Sequence, residues 1–192
     1  MATKKIDDFN ATDRIGINLL EHHVHFLNGS IDNDNISKAI EWIVHENLDK
    51  KQEKVLTLYI NSQGGEMYEG FALIDIMRSS THPIRTIGIG NIMSAAFLIF
   101  ASGAKGERYI AENTGIMCHQ FSGGEDGYKY HDIKAMAKEN DRLNDRMVNT
   151  LVLASDMDAN TVKKKLLHTT DVWLNATEMI ELGLADYVLE EI

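Results

Sequence analysis

The sequence contains little cysteine, proline or positive charge. Cys118 is the only cysteine and Pro83 the only proline among 192 residues. A lone cysteine excludes an internal disulfide and an all-cysteine metal site, and it fits a reducing compartment. The chain has 19 basic and 29 acidic residues, which gives a formal charge of −10. This charge works against binding to nucleic acid or an anionic membrane, since phosphate binding needs clustered Lys and Arg.

Long apolar runs are also missing. The longest uncharged apolar stretch, residues 87–104, is interrupted by glycine, asparagine and serine, so it predicts a buried strand and a buried helix rather than a membrane span. The first residues, "MATKKIDDFNATDR", have no apolar core and predict neither a signal peptide nor an anchor. We therefore expect a cytoplasmic protein without a membrane partner, folded as a single domain over residues 1–192.

Strand-like and helix-like segments alternate along the chain. Strands are predicted at residues 23–29, 54–60, 84–90, 107–110 and 115–119, and helices at residues 32–50, 66–80, after Ser94, 130–155 and 159–168, followed by a helix–strand pair in 175–191. This alternation predicts an α/β fold built on a largely parallel sheet. The helix at 130–155 carries an apolar stripe that includes Ile133, Met136, Leu143, Met147 and Leu151, and its length suggests that it reaches a partner subunit.

Ser94 is the candidate nucleophile, because it lies among small and apolar residues in "NIMSAAFLIF". A serine hydroxyl needs a neighbouring base. His119 ends the strand-like "GIMCH" before a glycine-containing loop and can face a cleft, which His131 on the long helix is less able to do. Asp171 in "HTTDVWLNATE" could orient the imidazole from a partly buried position, with Asp156 as another candidate acid.

An oxyanion site would need free backbone amides near Ser94. The "NSQGGE" segment places Gly64 and Gly65 between a strand and a helix, and the small residue Ala95 leaves its own amide approachable. Each feature also has a purely structural explanation. The serine can be a packing residue, Gly-Gly a plain turn, and Asp171 an N-cap, although Asn175 is better placed for that.

Two other chemistries receive less support. The "EHHVH" segment places His23 and His25 on one face of a strand, but no carboxylate motif accompanies them, so surface histidines explain the pattern and no metal site is predicted. A Cys118–His119 dyad fails because adjacent strand residues point to opposite faces.

Four ordered blocks resemble the family of the Clp protease proteolytic subunit, ClpP. They are "YINSQGG", "NIMSAAFLIFASGAKGER", "HQF" after Cys118, and "DVWLNATEMIELGLAD". The resemblance implies a serine endopeptidase with a crotonase-like α/β fold of repeated ββα units. It implies Ser94 as nucleophile, His119 as base, Asp171 as orienting acid, and the amides of Gly65 and Ala95 as the oxyanion hole.

The resemblance also implies an assembly and a partner. Heptameric rings would stack as a double-ring tetradecamer around a chamber, joined by a protruding handle region at residues 121–155, with an N-terminal arm at residues 1–16. An AAA+ unfoldase of the ClpX, ClpA or ClpC type would feed in unfolded polypeptides and use the ATP, so this chain would need no cofactor.

The chain departs from the family pattern at several positions. Gln63 and Phe121 replace prolines, Ala95 and Ala96 replace Met-Gly, and the segment between His119 and Asp171 is somewhat longer than is usual in the family. Two alternatives stay open. One is a non-catalytic ClpP-like ring subunit, and the other is an acyl-CoA enzyme of the wider crotonase superfamily.

Overall fold

The computed structural model describes residues 10–49, 53–123 and 129–191, in which seven strands and seven helices follow one another. The strands are β1 (Val24–Ile31), β2 (Leu56–Gly65), β3 (Ile84–Met93), β4 (Arg108–Ile110), β5 (Gly115–Cys118), β6 (Val172–Leu174) and β7 (Tyr187–Val188). The helices are α1 (Ala11–Glu21), α2 (Asn33–Glu46), α3 (Met67–Ser79), α4 (Ala95–Ala101), α5 (Tyr130–Ala154), α6 (Ala159–Lys165) and α7 (Ala176–Glu181).

The strands form one mainly parallel sheet. Its main path runs β1-β2-β3-β4-β7 with every neighbouring pair parallel, and β5 also pairs parallel with β3. Among the strands of the described ranges, only the pair β5–β6 is antiparallel. The predicted α/β class with a largely parallel sheet is confirmed.

Strand β3 pairs with two different strands along the same edge. Its first half, Thr86–Gly88, pairs with β4, and its second half, Asn91–Met93, pairs with β5. Between the halves Gly90 adopts φ +60°, and a Cβ there would lie 2.5 Å from Asn61 Oδ1. That oxygen accepts a hydrogen bond from the amide of Asn91 at 3.1 Å. The glycine and the asparagine together let one strand turn from β4 toward β5.

Helix α4 forms the centre of the core. All seven of its residues are buried, because its sequence "AAFLIFA" is apolar around the whole helix. It packs against β2 and β3, and Phe97 and Phe100 are among the largest fully buried side chains. Burying a phenylalanine side chain contributes about 1.5–3 kcal/mol, so this short helix is held by packing rather than by its own length.

Several boundaries differ from the predicted ones for physical reasons. Strands β2 and β3 continue through Gly65 and Met93, beyond the predicted ends, because parallel neighbours pair with the polar stretches "NSQGG" and "NIM". Strand β6 was not predicted, since three residues give too short a pattern to read. Asn175 caps α7 in a reciprocal capping box with Glu178, as the sequence favoured.

Helix α1 occupies residues that were predicted to be part of an N-terminal arm. Asn10 caps it by accepting the amide of Asp13 at 2.9 Å, and none of its residues is buried. Apolar periodicity of the kind that marks buried helices therefore did not predict it. Residues 1–9 of the predicted arm lie outside the described residues.

The predicted handle region corresponds mainly to α5, the longest helix. Its second half packs on the core through Leu143, Met147 and Leu151, whereas Tyr130 and Ile133 in its first half are 64% and 55% exposed. The described residues of the chain therefore bury only the second half of the predicted apolar stripe and leave the first half exposed to solvent. The handle residues 124–128 lie outside them.

A buried ion pair ties the C-terminal segment to the sheet. Arg108 donates to both carboxylate oxygens of Asp186, at 2.7 and 2.9 Å, and to the carbonyl of Ala154 at 2.7 Å. Burial acts to raise the pKa of Asp186, but the hydrogen bonds from Arg108 and from the amide of Gly106 outweigh it and lower that pKa. The pair joins β4 to the end of α5 and to the approach to β7.

No helix in the described ranges is both long and apolar enough to cross a membrane.

Candidate active site

Ser94 lies at the junction between β3 and α4, not inside the helix. Its backbone adopts φ +56° and ψ −124°, one of only two non-glycine positive φ angles in the described residues. Such a conformation costs on the order of 1–3 kcal/mol and persists only where the surroundings impose it. Here the Ser94 amide donates to the carbonyl of Met117 at 2.9 Å, and its carbonyl accepts from the amide of Phe97 at 3.0 Å. The sharp strand-to-helix turn presents the hydroxyl instead of packing it.

His119 follows β5, the strand next to the second half of β3. Because Met117 pairs with Met93 in the parallel ladder, the ends of the two strands lie side by side. The Ser94 hydroxyl lies 2.8 Å from His119 Nε2, and both residues are partly buried. The structure therefore brings the predicted nucleophile and base into hydrogen-bond contact.

The imidazole is held in one tautomer by a backbone group. His119 Nδ1 lies 2.5 Å from the carbonyl oxygen of Gln120. A carbonyl can only accept a hydrogen bond, so in the neutral ring Nδ1 carries the proton and Nε2 has its lone pair toward Ser94. This is the protonation state in which a histidine can take a proton from a serine.

Asp171 lies at the predicted side of the site without bonding to the histidine. In the antiparallel ladder Cys118 pairs with Val172, so His119 and Asp171 are the next residues on the two strands. Nevertheless Asp171 is exposed, and the bond partner of Nδ1 is Gln120. The expectation of a partly buried carboxylate was wrong, because Asp171 follows an exposed loop and precedes a three-residue edge strand.

The Gly64–Gly65 segment packs directly on Ser94. A Cβ at Gly64 would lie 2.6 Å from Ser94 Cβ and 3.2 Å from the amide nitrogen of Ala95. Gly64 and Gly65 adopt φ +97° and +151°. Ala95 is the first residue of α4, where the helix itself offers no acceptor for the amide. The close approach of these backbone segments to Ser94 suits an oxyanion hole.

Two groups at the site were not singled out from the sequence. The carbonyl of Gln120 is a backbone atom and leaves no signal in residue type. Ser62 is buried, and its hydroxyl accepts the amide of Gly64 at 3.0 Å, which fixes the turn beside Ser94. A serine two residues before a glycine is a known turn pattern and could have been found.

The alternative candidates have other contacts. Asp156 is exposed and lies 3.3 Å from the ammonium of Lys105. His131 on α5 is exposed and packs edge-on against Tyr130. Burial raises the pKa of Cys118 to about 12, so this thiol is not a nucleophile at neutral pH. His25 stacks on Trp42 with ring centroids 5.2 Å apart.

Comparison with known proteins finds a family and relatives. A family model described as Clp protease matches residues 9–192. The ATP-dependent Clp protease proteolytic subunit 2 of Thermobifida fusca (strain YX) is 30% identical over 171 residues, which make up 89% of this chain and 82% of that protein. These matches confirm the resemblance that the four sequence blocks indicated.

Proposed function

Because the chain belongs to the Clp protease family, we propose that it is a serine endopeptidase of the ClpP type that hydrolyses peptide bonds of unfolded polypeptides. Family membership supports a ClpP-type peptidase. The observation that carries the serine mechanism is the 2.8 Å contact between Ser94 Oγ and His119 Nε2, at a serine held at φ +56°.

In the proposed reaction Ser94 Oγ attacks the carbonyl carbon of the scissile peptide bond while His119 Nε2 takes its proton. The tetrahedral intermediate collapses when His119 returns that proton to the leaving amine, which leaves an acyl-serine. Water then attacks the ester carbonyl with His119 again as base. The bond to Ser94 Oγ breaks, His119 returns the proton to that oxygen, and the second product leaves with a new carboxyl group.

Two acceptors share the role of orienting His119 in this proposal. The carbonyl of Gln120 holds the tautomer in the free protein. The carboxylate of Asp171 stabilises the imidazolium that forms during the reaction, because a negative charge does this better than a neutral carbonyl. Its position beside the last ladder pair, Cys118 with Val172, supports this assignment.

The amides of Gly65 and Ala95 are the proposed oxyanion donors. A single such donor is worth about 10²–10³ in rate. The packing of Gly64 against Ser94 supports this role, since it keeps the glycine turn within van der Waals distance of the nucleophile.

We further propose that the chain works in stacked heptameric rings and receives substrate from an AAA+ unfoldase. The exposed apolar residues Tyr130 and Ile133 at the start of α5 support a contact between subunits, since burying apolar side chains of this size against a neighbour is favourable. The ATP would be used by the unfoldase, and this chain would carry no cofactor.

Labelling with a fluorophosphonate probe tests the nucleophile. The wild-type assembly should be labelled at Ser94, as located by mass spectrometry of the modified peptide. Ser94→Ala should lose both labelling and peptide hydrolysis while keeping its assembly state. Hydrolysis by Ser94→Ala at a comparable rate would remove the assignment.

The bond from His119 Nδ1 to Gln120, in place of Asp171, favours one second candidate, a non-catalytic ring subunit. The two candidates differ in the labelling experiment when an unfoldase is added. Absence of labelling both with and without the unfoldase would support the structural role and exclude the peptidase.

A further inference from the structure

The peptide unit between Gln120 and Phe121 links the candidate base to helix α5. The carbonyl oxygen of Gln120 lies 2.5 Å from His119 Nδ1, and the amide of Phe121 donates to Asn144 Oδ1 at 2.9 Å. Both groups belong to one trans peptide, in which the C=O and the N–H point in opposite directions. The histidine and the asparagine therefore hold the same peptide plane from opposite sides.

Asn144 presents its oxygen to Phe121 in a fixed orientation. Its Nδ2 donates to the carbonyl of Asn140, one turn earlier in α5, at 3.1 Å. A backbone amide needs an acceptor and a backbone carbonyl needs a donor, so the two contacts together decide which way the side-chain amide faces. Leu143 and Met147 of the same helix are buried in the core, which anchors this part of α5.

These contacts form a hydrogen-bond chain that ends at the candidate nucleophile. Ser94 Oγ lies 2.8 Å from His119 Nε2, and the other ring nitrogen contacts the Gln120 carbonyl. The Phe121 N–H continues the chain to Asn144, and its donation polarises the peptide so that the carbonyl becomes a stronger acceptor. A stronger acceptor at Nδ1 orients the ring more firmly and stabilises the positive charge that the ring gains with the serine proton.

The link depends on a position at which this chain departs from the family pattern. Phe121 replaces a proline, and proline carries no amide hydrogen. A proline at residue 121 could not donate to Asn144. The contact is therefore a property of this chain's own sequence.

We propose that Asn144 is a positioning residue for the candidate base: through the Phe121 N–H and the Gln120 carbonyl it orients His119 and stabilises the imidazolium formed during the reaction. Asn144 itself touches neither Ser94 nor His119 and acts through the peptide unit between them. This role rests on the proposed function, because it assigns a further partner to the base of that reaction.

Asn144→Leu tests the contact in the full chain, because leucine has a similar size and offers no acceptor. Alanine would be less decisive, since the crevice of about 210 Å³ beside Gln120 and Asn144 can admit a water that replaces the lost oxygen. With a fluorogenic peptide, Asn144→Leu should lower kcat about tenfold and leave KM within about twofold, because the lost hydrogen bond supports the base and not the substrate. Asn144→Asp keeps the acceptor and should hold kcat within about threefold of the wild type. Asn149→Leu, on an exposed residue of the same helix, is the matched control and should leave kcat unchanged.

A double-mutant cycle tests whether Asn144 acts through the Phe121 amide. Phe121→Ala removes the partly buried ring and keeps the N–H, whereas Phe121→Pro removes both. Asn144→Leu should therefore lower kcat about tenfold in the Phe121→Ala background and have almost no further effect in the Phe121→Pro background. Midpoints of urea unfolding, measured for every variant, separate a loss of folded protein from a loss of rate.

The wild type and the variants answer different questions. A wild type that is neither labelled by the fluorophosphonate nor active, with and without an unfoldase, would refute the proposed function and the role of Asn144 with it. With an active wild type, three results would overturn the role of Asn144 alone. They are an unchanged kcat in Asn144→Leu, a loss in Asn144→Asp as large as that in Asn144→Leu, and an equal effect of Asn144→Leu in the Phe121→Ala and Phe121→Pro backgrounds.

Discussion

Gly64→Ala is expected to disable the candidate active site while leaving the fold in place. The added Cβ would meet Ser94 Cβ at 2.6 Å, about 0.8 Å short of an ordinary contact that begins at 3.4 Å, and Met93 O at 2.7 Å. Backbone on one side and the nucleophile on the other leave no flexible side chain to yield. A displacement of this size at a reacting atom costs about 10² in rate.

The substitution also strains the backbone, and a control variant at another glycine measures that loss of stability separately. Gly64 has φ +97°, a region that alanine enters at a cost of about 1 kcal/mol. Gly106 has a similar φ, +84°, but a Cβ there would meet nothing within 4 Å. Gly106→Ala should therefore lose a similar backbone term of stability and keep full activity.

The assay compares kcat for a fluorogenic peptide, the rate of fluorophosphonate labelling and the midpoint of urea unfolding for the two variants and the wild type. Gly64→Ala should fall about 100-fold in both rates, whereas Gly106→Ala should match the wild type. Near-normal rates for Gly64→Ala would refute the argument that contact with Gly64 positions Ser94. An equal loss in both variants would show that backbone strain alone is responsible.

Four further predictions concern other groups. Asp171→Asn should lower kcat by about 10⁴ with little change in KM if the carboxylate stabilises the His119 imidazolium, and a near-normal rate would leave the orienting role to the Gln120 carbonyl. Arg108→Met should lower the free energy of unfolding by about 3–5 kcal/mol in urea titrations, since it leaves the Asp186 carboxylate without its buried partner. Because the folded pKa of Asp186 lies below the unfolded value of 3.8, its contribution to stability is present above about pH 4 and is lost as the pH falls through the folded pKa. Unfolding midpoints of Asp186→Asn should therefore depend less on pH than wild type below pH 4, and an unchanged dependence would contradict this. Cys118, with a pKa raised to about 12, should resist a thiol reagent at pH 8 until the chain unfolds, and rapid modification of the folded protein would show that the thiol is not buried.

Much of the fold could be predicted because apolar periodicity is strong where elements are buried. The wholly apolar "AAFLIFA" and the β-rich segments leading into β2 and β3 gave the correct element types. Elements that bury little were missed. Helix α1 has no buried residue, and β6 exists only because β5 offers an open edge, which is a property of the assembled sheet and not of three residues.

The parts of the site that could be predicted are those formed by distinctive residue types. Ser94, His119 and the glycine pair stood out by residue type and surroundings, and the structure brings them together. The part played by the Gln120 carbonyl depends on backbone direction after β5, which no residue type reveals. The exposure of Asp171 likewise follows from a loop conformation, not from the apolar residues after it.

The pairing of β5 with β6 also bears on how the chain can change in length. His119 and Asp171 each lie one residue beyond the last ladder pair because the two short strands pair with each other, not because of the long stretch of chain that connects them. A change of length between these strands, for example around α6, would leave the register of the β5–β6 pair unchanged. Such a change would therefore alter the surroundings of α5 while His119 and Asp171 keep their positions beside the last ladder pair.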